Sequence, residues 1–357
     1  MRISLTRQPI HIRAIVAALG AAVLFGASTP FAKQLVGELP ALLLAGLLYL
    51  GSGIGLLGTR VIRDRGWRAP RLAASEWPWL AGAIGFGGIL GPVLLMLGLS
   101  ITTAGTASLL LNLEAVLTAL LAWIVFRENA GARVVVGMTF IVGGGLLLSW
   151  RHDPGTPAQW FGPLLIAGAC LCWAIDNNLT RKVSASDALF VAGAKGMIAG
   201  IVNTALAFIL GASPPSWQLL GPALLVGFLG YGVSLFLFVL ALRGLGAART
   251  GAYFSTAPFM GAAIAIGIFQ EPTTASFWVA AMLMAIGVWL HLTEHHEHLH
   301  THEAMLHTHS HTHDEHHQHQ HDFPWDGKEP HIHPHQHEPM THSHPHYPDI
   351  HHRHRHR

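Results

Sequence analysis

Charge is scarce in this chain. Asp, Glu, Lys and Arg together make up 11% of its 357 residues, against about 25% in soluble domains. Histidine is almost missing from the first 290 residues, which hold only His11 and His152, while the other 25 of 27 follow. Cysteine is limited to Cys170 and Cys172, two apart in one apolar stretch. On a helix that spacing puts them on nearly opposite faces, which excludes a disulfide between them and leaves them as small apolar fillers. There is no G-x-x-x-x-G-K-[ST] loop to cradle a nucleotide's phosphates.

Apolar runs fill the space that charge leaves. A bilayer core about 30 Å thick needs roughly 20 apolar residues of helix, and residues 1–292 offer many such stretches. The expected fold class is an all-α polytopic membrane protein. Spans are predicted near 12–36, 39–59, 77–100, 102–126, 132–150, 160–180, 188–211, 217–242, 246–269 and 275–292. The run from Ile12 to Val36 is too long for the h-region of a signal peptide. Lys33 and Glu38 also stand where a small-residue cleavage site would be, so a retained first helix is expected. Trp77, Trp79, Trp150, Trp160, Trp217 and Trp278 fall at predicted span edges, where an amphipathic ring prefers to sit.

Lys and Arg are retained on the cytoplasmic side of a membrane. Alternate connections divide sharply. One set holds Arg2, Arg7, Arg13, Arg60, Arg63, Arg65, Arg68, Arg71, Arg127, Arg133, Arg181, Lys182 and Arg243, which is thirteen; the other holds only Lys33 and Arg151. Both termini are therefore expected in the cytoplasm, which requires an even number of spans, and ten satisfies this. Residues 1–11 form a cytoplasmic N-terminus. The expected location is the inner (plasma) membrane of a bacterium.

The apolar part repeats itself. Residues 98–128 read GLSITTAGTASLLLNLEAVLTALLAWIVFRE and residues 241–271 read ALRGLGAARTGAYFSTAPFMGAAIAIGIFQE. An offset of 143 aligns Leu99 with Leu242, Ala104 with Ala247, and Phe126-Arg127-Glu128 with Phe269-Gln270-Glu271. A weaker match pairs Phe25–Lys33 with Trp173–Arg181. Five spans per unit is odd, so the second unit, 160–292, enters the membrane inverted relative to the first, 12–150. Many secondary transporters are built this way, with the substrate site where the halves meet.

These segments, and GAARTGAYFSTAPFMGAAIAIGIFQEP in the second unit, resemble the drug/metabolite transporter superfamily, EamA type, over about residues 14–292. The resemblance implies a permease, often an exporter, of small metabolites or xenobiotics, driven by a gradient and not by ATP. It implies no enzyme activity and no required cofactor. The implied partners are the lipid bilayer and a small-molecule substrate, with a homodimer as a further expectation and no nucleic acid.

Four ionisable residues sit inside predicted spans: Glu114, Asp176, Lys195 and Arg249. Facing lipid, each would cost about 2.5–3.5 kcal/mol, so each is expected to face the interior, a cavity or another of the four. Glu114 lies near mid-membrane, where it cannot snorkel, and its carboxyl is a candidate proton carrier. Asp176 and Lys195 are expected to meet near the cytoplasmic mouth. Arg249 is close enough to a span end to snorkel. Asn112, Asn177 and Tyr253 complete the candidate substrate and coupling set, and Tyr231 and Phe254 are candidates to shape a cavity. Pro30, Pro92 and Pro258 should kink their spans.

The tail, 293–357, carries 24 histidines, ten acids and four Lys or Arg. Its composition offers no core and predicts disorder. With neutral imidazoles it is anionic; near pH 6 it becomes cationic. Imidazole suits Zn, Ni, Co and Cu, and His307, His309, His311, His313, His316, His317, His319 and His321 are candidate ligands, helped by Asp314, Glu315 and Asp322. Two functions compete. One is a small-organic-solute permease with a metal-binding cytosolic appendage. The other is a divalent metal (Ni, Co or Zn) exporter whose tail collects the ion. No histidine lies deep in a span, and Lys195 and Arg249 would repel a dication, which favours the first and suits a carboxylate or phosphate.

Overall fold

A computed structural model describes residues 8–70, 72–126, 131–150, 160–180, 183, 187–293, 297–302, 305–311, 331–337 and 340–345. The first half runs α1 (Gln8–Val36), α2 (Ala41–Asp64), α3 (Trp77–Ala83), α4 (Gly91–Ser100), α5 (Ala104–Leu110), α6 (Leu113–Phe126) and α7 (Ala132–Ser149). The second runs α8 (Phe161–Thr180), α9 (Ala188–Ile209), α10 (Trp217–Gly227), α11 (Ser234–Phe254), α12 (Ala257–Gly267) and α13 (Ala275–Leu292). Eight helical stretches among the described residues are long and apolar enough to cross a membrane. The two predicted spans outside this set are 160–180 and 246–269. The first is a continuous helix, α8, that carries Asp176, Asn177 and Asn178 near its end. The second is broken.

The break has a local cause. In the first half the chain parts between α4 and α5, where the Thr103 hydroxyl accepts from the Thr106 amide at 3.3 Å. Glu271, reaching across from the loop after α12, accepts from the amides of Ala104 and Gly105 at 2.8 Å each. The same offset of 143 carries Thr103 onto Gly246, which has no side chain to cap a helix. Glu128, which it carries onto Glu271, lies outside the described residues. α11 therefore runs on past the predicted boundary to Phe254. It stops there because Pro258 clashes with the carbonyl four residues earlier and begins α12.

Two π-helical segments interrupt the third span of each half, Ile84–Leu90 between α3 and α4, and Phe228–Val233 between α10 and α11. In the first, Gly91 N–H bonds five residues back to Phe86. In that register the donor to Gly87 C=O would be residue 92, which is proline and has no N–H. The Gly87 carbonyl is left free for partners outside its own helix.

α2 and α9 pack closely on one another. Small residues make this approach close: a Cβ on Gly196 would sit 2.8 Å from the Gly53 nitrogen, and one on Gly53 would overlap the backbone of Gly196 and Met197. α7 packs on α13, α8 on α4 and α6, and α1 on α11 and α12. The largest buried cluster joins Leu43, Leu44, Leu48, Leu95, Met96 and Leu99.

The expectation of a tail without regular structure is corrected in part. β1 (Glu297–His302) pairs antiparallel with β4 (Met340–Pro345), and β2 (Met305–His311) with β3 (His331–His337). Composition alone missed the order of the residues. Histidine alternates with other residues in these stretches, and period two is the strand period. The register sets His307 opposite His335, His309 opposite His333 and His311 opposite His331.

Candidate functional site

The polar site grows from one face of α8. Trp173, Asp176 and Asn177 are spaced three and four residues apart and share that face. Asn177 is exposed, yet it lies thirteen residues beyond Leu164 and six beyond Leu171, two of the exposed apolar residues of the same helix. At about 100° per residue it points roughly 140° and 120° away from them around the helix. It faces α6, away from that apolar outer surface.

Opposite it stands Glu114, half-buried in the first turn of α6, where a helix N-terminus favours a carboxylate. The Asn177 amide donates to Glu114 Oε1 at 2.8 Å and also reaches Thr118 Oγ1 at 3.5 Å. Asp176 is buried and forms an ion pair with Lys195 of α9. The Thr180 hydroxyl donates to its other oxygen at 2.9 Å. Three of the four ionisable residues singled out in the sequence thus gather in one place, and Glu114 lies within electrostatic range of both Asp176 and Lys195.

Glycine makes room for this group. A Cβ at Gly87 would overlap the Asp176 carboxylate. The freed Gly87 carbonyl accepts from Tyr49 Oη at 2.8 Å and from Trp173 Nε1 at 3.0 Å. Sequence reasoning passed over Tyr49 and Trp173, which look like ordinary aromatics in apolar runs. The readable signal was Pro92, five residues after Gly87. From Tyr49 a chain of rings leads away: Tyr231 at 5.5 Å, then Phe25 at 5.9 Å, Phe254 at 5.3 Å and Phe238 at 4.9 Å between successive centroids. Tyr231 and Phe254 belong to this chain.

The remaining candidates lie elsewhere. Tyr253 packs against the cluster of Ala17, Ala18 and Ala241. Asn112 is buried at the α5–α6 turn, where its amide donates to Leu109 C=O at 2.8 Å, a structural role. Arg249 is exposed and makes no hydrogen bond or ion pair among the described residues. Of the tail ligands, His307, His309 and His311 lie on β2, while His313, His316, His317, His319 and His321 fall outside the described residues. Among the described residues no group of three His, Cys, Asp or Glu is arranged to hold a metal.

Two further charge clusters sit at opposite ends of the bundle. At one end, Lys33 Nζ donates to Leu99 C=O at 2.6 Å, at the C-terminus of α4, and Glu271 caps α5. A cation at one helix C-terminus and an anion at the next N-terminus both match the helix dipoles. At the other end, Arg60 Nε and Arg63 Nη2 both donate to Asp187 Oδ2, at 3.0 and 2.7 Å. Arg60 is buried between the rings of Trp67 and Phe190, at 5.4 and 5.3 Å. Burial pushes the Asp187 carboxyl upward, but the hydrogen bonds from Arg63 and Arg60 outweigh it and hold the group below its ordinary value. This cluster ties the end of α2 to the start of α9.

The model of the EamA-like transporter family matches residues 12–150 and again 160–293. The chain belongs to the EamA-like transporter family. Two relatives resemble this EamA-like transporter over most of their length. An uncharacterized transporter of Methanothermobacter thermautotrophicus is 27% identical over 285 residues, covering 76% of this chain and 83% of its own. The uncharacterized transporter YyaM of Bacillus subtilis is 23% identical over 288 residues, covering 78% and 93%. A solved protein crystal structure aligns with a TM-score of 0.56 at 19% identity, over 80% of this chain and 96% of that one, a likeness of fold. The transporter is a multi-pass membrane protein whose bilayer-spanning part holds the Glu114 group.

Proposed function

We propose that this EamA-like transporter carries small organic metabolites or xenobiotics outward across a bacterial plasma membrane, driven by a gradient. It works by alternating access between two inverted five-span units, 12–150 and 160–292, with both termini in the cytosol. Internal geometry supports the inverted pairing. The offset of 143 carries the π-helical segment 84–90 onto 227–233, which contains the second π-helical segment. It carries Gly53 onto Gly196, which touches it. Gly137 meets Gly287, and the same offset turns that pair into Ala280 and Gly144, which also meet. The packing of α8 on α4 and α6 recurs as α1 on α11 and α12. Reciprocal contacts of this kind are the mark of a twofold relation, and five spans per unit put its axis in the membrane plane.

The observation that carries the reading is the hydrogen bond from Asn177 of the second unit to Glu114 of the first. It joins the two units through polar side chains inside apolar spans. Glu114 is proposed to carry the coupling proton. Purified protein in liposomes, given a pH gradient, is expected to lose proton-coupled flux on Glu114→Gln; flux that persists unchanged rejects the assignment.

The tail is proposed as a cytosolic appendage that binds Zn, Ni, Co or Cu and is not the transport route. Its 24 histidines and their alternation support this. A divalent metal exporter is the competing function. Growth of a deletion strain separates the two: sensitivity to organic solutes is expected, and sensitivity to metals alone would promote the metal exporter.

A further inference from the structure

The pairing of the span-buried charges determines what charge the site offers a substrate. Asp176 and Lys195 neutralise one another. Arg249 is exposed and stands apart from them. Glu114 remains, and its hydrogen-bond partner is the neutral amide of Asn177. Among the described residues no cation pairs with it directly. The sequence expectation that Lys195 and Arg249 would receive a carboxylate or phosphate is therefore reversed: one is already taken and the other is absent from the site.

Tyr49, where the aromatic chain begins, lies within electrostatic range of this carboxylate. Tyr49 is anchored on the Gly87 carbonyl that Trp173 also holds, and Trp173 shares the α8 face of Asn177. Tyr231, Phe25 and Phe254 continue from Tyr49 and are each half-buried. Aromatic faces attract a cation and repel an anion, and a carboxylate in a low-dielectric setting does the same more strongly.

We infer that the transported solute is an organic cation, an amine or quaternary ammonium on an apolar, preferably aromatic, body. Its charge lies against Glu114, with Asn177 turned to let it in, and its body lies along Tyr49, Tyr231, Phe25 and Phe254. Asp176 and Lys195 form a neutral wall that keeps the Glu114 charge uncompensated. This inference rests on the permease reading of the same site.

The test uses three probes of one shape and different charge: 2-phenylethylamine, 3-phenylpropionate and 2-phenylethanol. Their affinities for the full chain in detergent are measured by calorimetry. The amine is expected to bind at least tenfold tighter than the anion. Glu114→Gln is expected to remove that tenfold preference while leaving the alcohol unchanged, and Glu114→Asp to restore part of it, which excludes a simple folding defect. An anion bound as tightly as the amine, an amine affinity unmoved by Glu114→Gln, or no amine binding at millimolar concentration overturns the inference. Flux in liposomes separates it from the permease reading. Glu114-dependent amine binding without amine flux contradicts the permease reading and leaves the charge preference standing. Flux of 3-phenylpropionate that ignores Glu114 does the opposite.

Discussion

Asp176 and Lys195 hold each other inside the bundle, their side chains 6% and 20% exposed. Removing one partner of such a pair strands a buried charge and costs about 3–5 kcal/mol, whereas replacing both with apolar residues of similar volume is often close to neutral. Asp176→Ala or Lys195→Met alone should therefore lower the melting temperature far more than the double change Asp176→Leu with Lys195→Met, as differential scanning fluorimetry of the purified chain would record. Gly87 makes a second residue-scale prediction. Alanine there forces its Cβ into the Asp176 carboxylate, and overpacking of this kind costs about 1–3 kcal/mol. The Gly87→Ala chain should unfold at lower temperature in the same assay. At this scale the sequence was most readable where a polar residue interrupts an apolar run. Glu114, Asp176, Asn177 and Lys195 stood out for that reason. Tyr49 and Trp173 did not, because their partner is a backbone carbonyl, and its availability depends on a helical register that side-chain identity does not announce.

Helix boundaries followed apolar run length closely through the first half and less closely in the second. The α4–α5 break was legible from the span pattern, but the groups that sustain it are Thr103 and, across 167 positions of sequence, Glu271. The corresponding break near residue 246 fails because glycine replaces the capping threonine, and the helix instead ends at the proline-bearing step before Pro258. A repeat in sequence therefore did not guarantee a repeat in helix ends. Losing a cap costs about 0.5–2 kcal/mol. Glu271→Ala should destabilise the protein within that range and speed hydrogen exchange at the amides of Ala104 and Gly105, while amides in the middle of α2 exchange as before. In the tail, order along the chain decided the outcome: the alternation of His307, His309 and His311 is a strand pattern, and composition alone does not register it.

At the scale of the molecule, α2 and α9 form a seam closed by small residues, with one end tied by Arg60, Arg63 and Asp187. Because Asp187 is held below its ordinary value in the folded state, its contribution to stability is complete above the unfolded carboxyl value of about 3.9 and fades as pH falls through the lowered folded value. The difference in melting temperature between the wild type and Asp187→Asn should be flat from roughly pH 5 to 8 and shrink only below about pH 4. Alternating access requires the Glu114–Asn177 site to be reached from each side of the membrane in turn. Asn177 reports on this directly. With the two native cysteines, Cys170 and Cys172, replaced by alanine, Asn177→Cys can be challenged with a membrane-impermeant thiol reagent in right-side-out and in inverted vesicles. Labelling from both sides, at rates that shift in opposite directions when solute is added, is the predicted result; labelling from one side only, under every condition, would contradict alternating access.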